Sequence, residues 1–146
     1  MIALIQRVTQ AEVRVGGEVA GAIGRGVLAL IGVRREDTEE AARRLLERVL
    51  SYRIFPDSQG RMGLALRAVG GGLLLVPQFT LAADTHKGTR AGFSLAAAPA
   101  QARRLFTCLV ERAHSAYAPV SSGVFGEDMQ VALVNDGPVT FWLETP

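Results

Sequence analysis

Apolar positions along this chain recur with two different periods. Ile2 to Val8 is apolar and rich in β-formers, and Glu12 to Val15 alternates polar with apolar, the period of a half-buried strand. Gly16 and Gly17 part this stretch from Glu18 to Ile23, which predicts a hairpin with a two-residue turn. Gly24 to Gly26 predicts a second turn. The run from Gly26 to Val33 is then continuously apolar, as in a strand buried on both faces. Beyond it the period becomes helical. Ala41, Ala42, Leu45, Leu46, Val49 and Leu50 share one face, with Asp37 expected to cap and Glu40 three residues on. Arg53 to Phe55 predicts a short strand closed by a turn over Pro56 to Gly60. Gly70 to Gly72 leads into a buried strand, Leu73 to Val76.

Residues 82–98 show no period. Pro99 then stands where a first-turn proline belongs, and Ala102, Leu105, Phe106, Leu109, Val110, Ala113 and Tyr117 mark the apolar face of a second helix. The tail predicts strands over Val120 to Phe125, Met129 to Val134 and Val139 to Leu143, with Asn135 to Pro138 as the turn between the last two. Roughly eight strands and two helices make an α/β class domain, mixed and sheet-rich, with helices on one side. So many strands exceed what two helices can cover. The expected architecture is a three-layer α/β/β arrangement, in one domain spanning 1–146.

Composition narrows the class. Of 146 residues 49% are hydrophobic and 21% charged, which suits a globular domain and excludes disordered or fibrous classes. One cysteine, Cys108, and two histidines, His86 and His114, can build neither an internal disulfide nor a Cys/His zinc cage. The longest apolar run, Val27 to Val33, falls far short of a membrane span. A cytoplasmic localisation is expected. Net charge is +2, from 16 basic and 14 acidic residues, and Lys87 is the one basic residue that is not arginine. That balance permits a nucleic-acid partner without demanding one. Arg43-Arg44 and Arg103-Arg104 read first as solvated helix faces.

Familiar catalytic motifs are missing: there is no nucleophile elbow, phosphate-binding loop or zinc-binding helix. His86 lies in a glycine- and charge-rich stretch, His114 on the wet side of the second helix, and Cys108 beside apolar helix positions. Two segments invite closer reading. Pro77-Gln78-Phe79-Thr80-Leu81 follows a buried strand, and its proline marks a strand end, bulge or edge. Its amide, ring and hydroxyl could hold a nucleoside, or be a strand end with a core phenylalanine. Asn135 to Thr140 could be an ordinary turn. Alternatively its Gly137-Pro138 bond is cis and offers backbone oxygens to a ligand unobstructed by a Cβ on Gly137.

Together these segments resemble the bacterial and eukaryotic D-aminoacyl-tRNA deacylase family. The resemblance runs over essentially the whole chain: Gln6-Arg7-Val8, Gly17 to Val19, Gly26 to Val33, Arg53 to Phe55, Gln78 to Leu81, Asp84 with Lys87-Gly88, Phe125-Gly126, Asp128 to Val131 and Leu133 to Thr140. It implies a hydrolase that cleaves the ester between a D-amino acid and the terminal ribose of tRNA, with activity extending to glycyl-tRNA and with no metal or organic cofactor. It also implies a homodimer in which the cis Gly137-Pro138 peptide reaches into the partner's site and grips the substrate amino group, so that an L side chain strikes the wall. The partner molecule is aminoacyl-tRNA, met at its 3′-terminal adenosine and acceptor stem.

In this picture Gln78, Phe79 and Thr80 form the catalytic segment. Pro77, Phe125, Met129 and Asn135 line the substrate, and Arg7 orders the framework. Thr80 is the visible nucleophile candidate but has no local base. The resemblance instead implies water attack assisted by the RNA 2′-hydroxyl, with backbone N–H groups near Phe79 facing the oxyanion.

Three departures stand out. Pro77 replaces a usual serine, removing a hydroxyl and a backbone donor. Ala91-Gly92-Phe93 stands where Pro-Ser precedes the phenylalanine, and Gly63 and Ala65 stand where Asn and Ser are common. The alternatives are a relative that edits glycyl- or L-aminoacyl-tRNA, a tRNA-end binding module weakened in catalysis, and an unrelated structural dimer.

Overall fold

The computed structural model describes residues 1–146. Strand β1 (Ile2–Val15) turns through Gly16 and Gly17, both at positive φ, into β2 (Glu18–Ile23), and β3 (Gly26–Gly32) follows. Helix α1 (Glu39–Ser51) leads to the short strands β4 (Phe55–Pro56) and β5 (Met62–Leu64), then to a single helical turn, α2 (Leu66–Val69). Strand β6 (Gly72–Pro77), helix α3 (Pro99–Ala116), β7 (Val120–Ser122) and β8 (Gln130–Glu144) complete the chain. Six strands form one sheet in the order β2-β1-β3-β6-β7, with β8 along the other side of β1; β4 and β5 pair separately. Strand β6 runs parallel to β3 and to β7, while β1 is antiparallel to its three neighbours.

The expected three layers are present, but the second β layer is not a separate sheet. Met1, Ala3 and Ile5 face the helices, whereas Val8, Ala11 and Val13 face a second apolar core with Leu28, Leu74 and Val76. Side chains alternate faces along a strand, which puts Val8 opposite Met1, Ala3 and Ile5, but keeping the odd-numbered Ala11 and Val13 on the face of Val8 needs an extra residue. It lies at Thr9-Gln10, where the register against β8 slips between Val8↔Asn135 and Gln10↔Val134. Past this bulge the far half of β1 carries β2 back over β6 and β7. There Ser121 Oγ donates to the Ala22 carbonyl at 3.2 Å. The bend creates the third layer.

Several sequence expectations are corrected here. Thr38, not Asp37, caps α1, its hydroxyl accepting from the Ala41 N–H at 3.3 Å. Asp37 is buried and accepts from the Met1 ammonium at 2.5 Å and the Arg34 N–H at 2.6 Å. The two tail strands are one: β8 pairs with β1 on both sides of Asn135 to Pro138, so that segment is a bulge within a strand and not a hairpin turn. β4 lies at Phe55–Pro56 rather than Arg53 to Phe55, β7 stops at Ser122, and α2 had no sequence signal. Both long helices bury the faces their spacing predicted. No helix is long and apolar enough to cross a membrane.

Candidate active site

The first candidate segment is a shelf at the C-terminal end of β6. Pro77 is the last strand residue, opposite Ile31, and the Gln78 N–H donates to the Ile31 carbonyl at 2.7 Å. Successive backbone N–H groups point to opposite sides of a strand. Gln78 faces β3, so position 77 faces β7, as does Leu75, whose carbonyl accepts from the Gly123 N–H at 2.8 Å. The β7 ladder has ended by then, with Leu75↔Ser122 its last pair. Proline therefore deletes no ladder bond.

The chain next tightens into a 3-10 turn, Phe79–Ala82, in which the Ala83 N–H reaches the Thr80 carbonyl at 3.1 Å. Gln78 Nε2 donates to Thr80 Oγ1. Phe79 is 58% exposed, an unusual cost for a large ring, and it tilts against Phe93 with centroids 5.2 Å apart. Behind it Ile31, Val33, Pro77, Ala102, Phe106 and Phe125 close the wall around a cavity of about 10 Å³, room for little more than one water. Any group larger than a water must therefore meet the open face of Phe79 rather than enter the cavity.

Phe125 joins the wall through Phe106, at a centroid distance of 6.4 Å. Gly123 lets Met129 approach: a Cβ there would stand 2.8 Å from Met129 Sδ and 3.4 Å from Pro77 Cδ. Pro77, Phe79, Phe125 and Met129 are thus brought around one shelf. No base reaches Thr80. His86 is 91% exposed and turned to Asp84 at 2.8 Å, holding that carboxyl below its usual range through backbone and side-chain hydrogen bonds. His114 is exposed on α3, and Cys108 is half-buried.

The second segment lies elsewhere. Gly137-Pro138 is cis, and Gly137 has φ +136°. Asn135 braces the bulge from both ends of its amide: Nδ2 donates to Thr140 Oγ1 at 2.8 Å and Oδ1 accepts from the Val139 N–H at 3.0 Å. Arg7, largely buried, donates from Nε to the Asp136 carbonyl at 3.0 Å and from Nη1 to the Ile54 carbonyl at 2.7 Å. Arg7, Asn135 and Gly137-Pro138 form one unit, apart from the shelf. Sequence reading did not single out Phe93, Gly123, Ala102 or Phe106 for the site. Of these only Phe93 carried a signal, as the end of a segment that departs from the family pattern.

The chain as a whole resembles known proteins in sequence and in fold. The family described as "D-Tyr-tRNA(Tyr) deacylase" matches residues 4–144. A D-aminoacyl-tRNA deacylase of Thioalkalivibrio sulfidiphilus is 65% identical over 146 residues, covering all of this chain and 98% of that relative. One of Vibrio cholerae is 58% identical over 144 residues, covering 99% of each. Among solved structures, one described as "c-Myc DNA Unwinding Element Binding Protein" superposes with a TM-score of 0.95 at 39% identity, over 100% of this chain and 99% of that one. A probable eukaryotic D-amino acid tRNA deacylase shares the fold, with a TM-score of 0.76 at 19% identity over 99% of this chain and 98% of that one. These matches define the class, enzymes that remove an acyl group from tRNA. Within it, the chain belongs to the D-Tyr-tRNA(Tyr) deacylase family.

Proposed function

We propose that this protein hydrolyses the ester of D-aminoacyl-tRNA, and of glycyl-tRNA, at a site shared between two copies of the chain. Each copy supplies a shelf at Gln78 to Thr80 and lends Gly137-Pro138 to the other. The carrying observation is the separation of the two segments. Pro77 lies in register with Ile31 and Ala3, while the bulge lies opposite Arg7, four residues along β1 and three strands across from β6. With about 4.8 Å between strands and about 3.3 Å per residue, this puts them roughly 20 Å apart in one chain. A single aminoacyl group cannot touch both.

A second copy has a surface to use. Trp142, Leu4 and Leu30 stand opposite one another across β8, β1 and β3, on the face away from the helices. The folded-over layer covers this row only in part: Leu4 and Leu30 are half-buried and Trp142 is 48% exposed. Apolar area of this kind favours association, and a two-fold interface would deliver two bulges to two shelves at once.

On this reading the terminal adenosine stacks on Phe79 and Phe93, and Gln78 helps seat the ester. Water attacks the aminoacyl carbonyl, the vicinal 2′-hydroxyl assisting. The bond to the ribose 3′ oxygen breaks, that oxygen takes one of the water's protons, the other passes to solvent, and the amino acid leaves as a carboxylate. Amides at the start of the turn Phe79–Ala82 lack intrahelical acceptors and suit the oxyanion. Thr80 orients Gln78. Arg7 and Asn135 position the partner-facing bulge, whose carbonyls take the α-amino group and leave an L side chain no room. Broad side-chain tolerance follows, because nothing in this filter reads the side chain itself.

Single-turnover hydrolysis of matched D-tyrosyl-, L-tyrosyl- and glycyl-tRNA by the purified protein tests the reading. D and glycyl esters are lost while the L ester persists. Binding of tRNA without loss of any ester would support the binding-module alternative instead.

A further inference from the structure

Helix α3 carries adjacent arginines with different environments. Arg104 is tied to Glu39, Nη1 to Oε1 at 3.0 Å, and is an ordinary solvated ion pair. Arg103 has no carboxylate within ion-pair distance. Its guanidinium lies over the ring of Phe125, 4.9 Å from the centroid, and a Cβ on Gly126 would stand 3.0 Å from its Nη2. Gly126 is at φ +83°, so the backbone makes room at that spot with the residue that tolerates it best. Arg103 is thus held against Phe125, which borders the same small cavity as Phe79. Its neighbour in sequence, Ala102, lines that cavity as well.

We propose that Arg103 is a substrate-binding residue that holds the phosphodiester on the 5′ side of the substrate's terminal nucleotide. The inference rests on the deacylase reading and deepens it. Phe79 and Phe125 border one cavity, so on this reading the 5′ phosphate of a nucleoside stacked on Phe79 comes to the neighbourhood of Phe125. Arg103 offers an unpaired, planar donor fork there, the geometry that suits phosphate oxygens. The ring beneath it limits the rotamers the side chain must give up on binding. The same chemistry would attract free inorganic phosphate, so the test must separate an anion site from a tRNA contact.

Two substrates make the separation: D-tyrosyl-tRNA, and 3′-O-(D-tyrosyl)adenosine, which carries the same ester and no phosphate. Arg103→Gln is expected to raise KM for the tRNA about tenfold, the scale of one charge-assisted contact, with kcat and hydrolysis of the adenosine ester unchanged. Arg103→Lys restores part of the loss. The slope of log kcat/KM against log salt becomes shallower by about 0.7, one single-strand phosphate contact. Arg104→Gln lacks this pattern. Equal losses on both substrates would mean that Arg103 only packs on Phe125, and overturn the inference, as would no loss on either. So would strong inhibition by millimolar inorganic phosphate that Arg103→Gln abolishes while its KM for tRNA stays normal. A wild-type protein that cleaves neither ester overturns the deacylase reading and the inference together; the other failures leave that reading standing.

Discussion

The guanidinium of Arg7 closes around Gly137: a Cβ on that glycine would stand 3.1 Å from Arg7 Nη2 and 2.7 Å from Val139 Cγ2. At φ +136° the position is also one that L side chains rarely adopt. Gly137→Ala is therefore expected to distort the bulge at a cost of about 1–3 kcal/mol. The bulge is at the surface, so the chain still folds. D-tyrosyl-tRNA hydrolysis falls by about tenfold or more, because a 1 kcal/mol error in placing the substrate already costs several-fold. Steady-state kinetics beside a thermal melt check this. A variant with normal rates would detach the bulge from catalysis.

Thr80→Ala tests the route of attack. The hydroxyl accepts from Gln78 and meets no base, so its loss removes one neutral hydrogen bond, about 1 kcal/mol. A slowing of a few-fold is expected in single-turnover assays. Abolished hydrolysis with an intact fold would make Thr80 the nucleophile.

Pro77→Ser tests how the proline is accommodated. Position 77 faces the end of the β7 ladder, so the restored N–H gains no strand partner. The serine chain is expected to be less stable by roughly 0.4–1 kcal/mol through its freer unfolded state, with hydrolysis undiminished. Urea unfolding measures the first and D-tyrosyl-tRNA turnover the second. A more stable serine variant would mean that the proline leaves a carbonyl unpaired.

Asp37→Asn tests the link between Met1 and Asp37. Removing one partner of a buried ion pair costs about 3–5 kcal/mol, and the melting temperature falls accordingly. Burial holds the Met1 ammonium below its usual pKa of 8.0 despite Asp37. The folded amine thus binds its proton less tightly than the unfolded one, so this group's contribution to stability rises as pH increases toward 8. Without the carboxylate the depression deepens and the rise with pH steepens. Denaturation midpoints at pH 6 and 8 read it directly, and a flat profile in the variant would contradict it.

Local physics was legible in the sequence, and long-range geometry was not. The faces of α1 and α3 follow from spacing alone, and Gly16-Gly17 gave its hairpin because two residues between alternating runs leave few other solutions. Asn135 to Pro138 misled because a bulge and a hairpin turn use the same residues. Only the pairing of β8 with β1 on both sides separates them. Nothing at Thr9-Gln10 announced the bulge through which β1 shifts its register against β8. Asp37 and Thr38 are both good caps, and the choice was made by a partner 36 residues away. Gln78 to Thr80 and Gly137-Pro138 were singled out through resemblance. That Phe93 would stack on Phe79, and Arg103 lie over Phe125, was not legible.

The shared site is tested most directly by mixing two disabled chains. One carries Gln78→Ala with Phe79→Ala and keeps its bulge; the other carries Gly137→Ala and keeps its shelf. Each is nearly inactive alone. Co-expressed with different tags and allowed to pair at random, they form mixed dimers with one fully intact site, and D-tyrosyl-tRNA hydrolysis recovers to about a quarter of the wild-type rate per chain. No recovery, with mixed dimers demonstrably present, would contradict a site built from two copies.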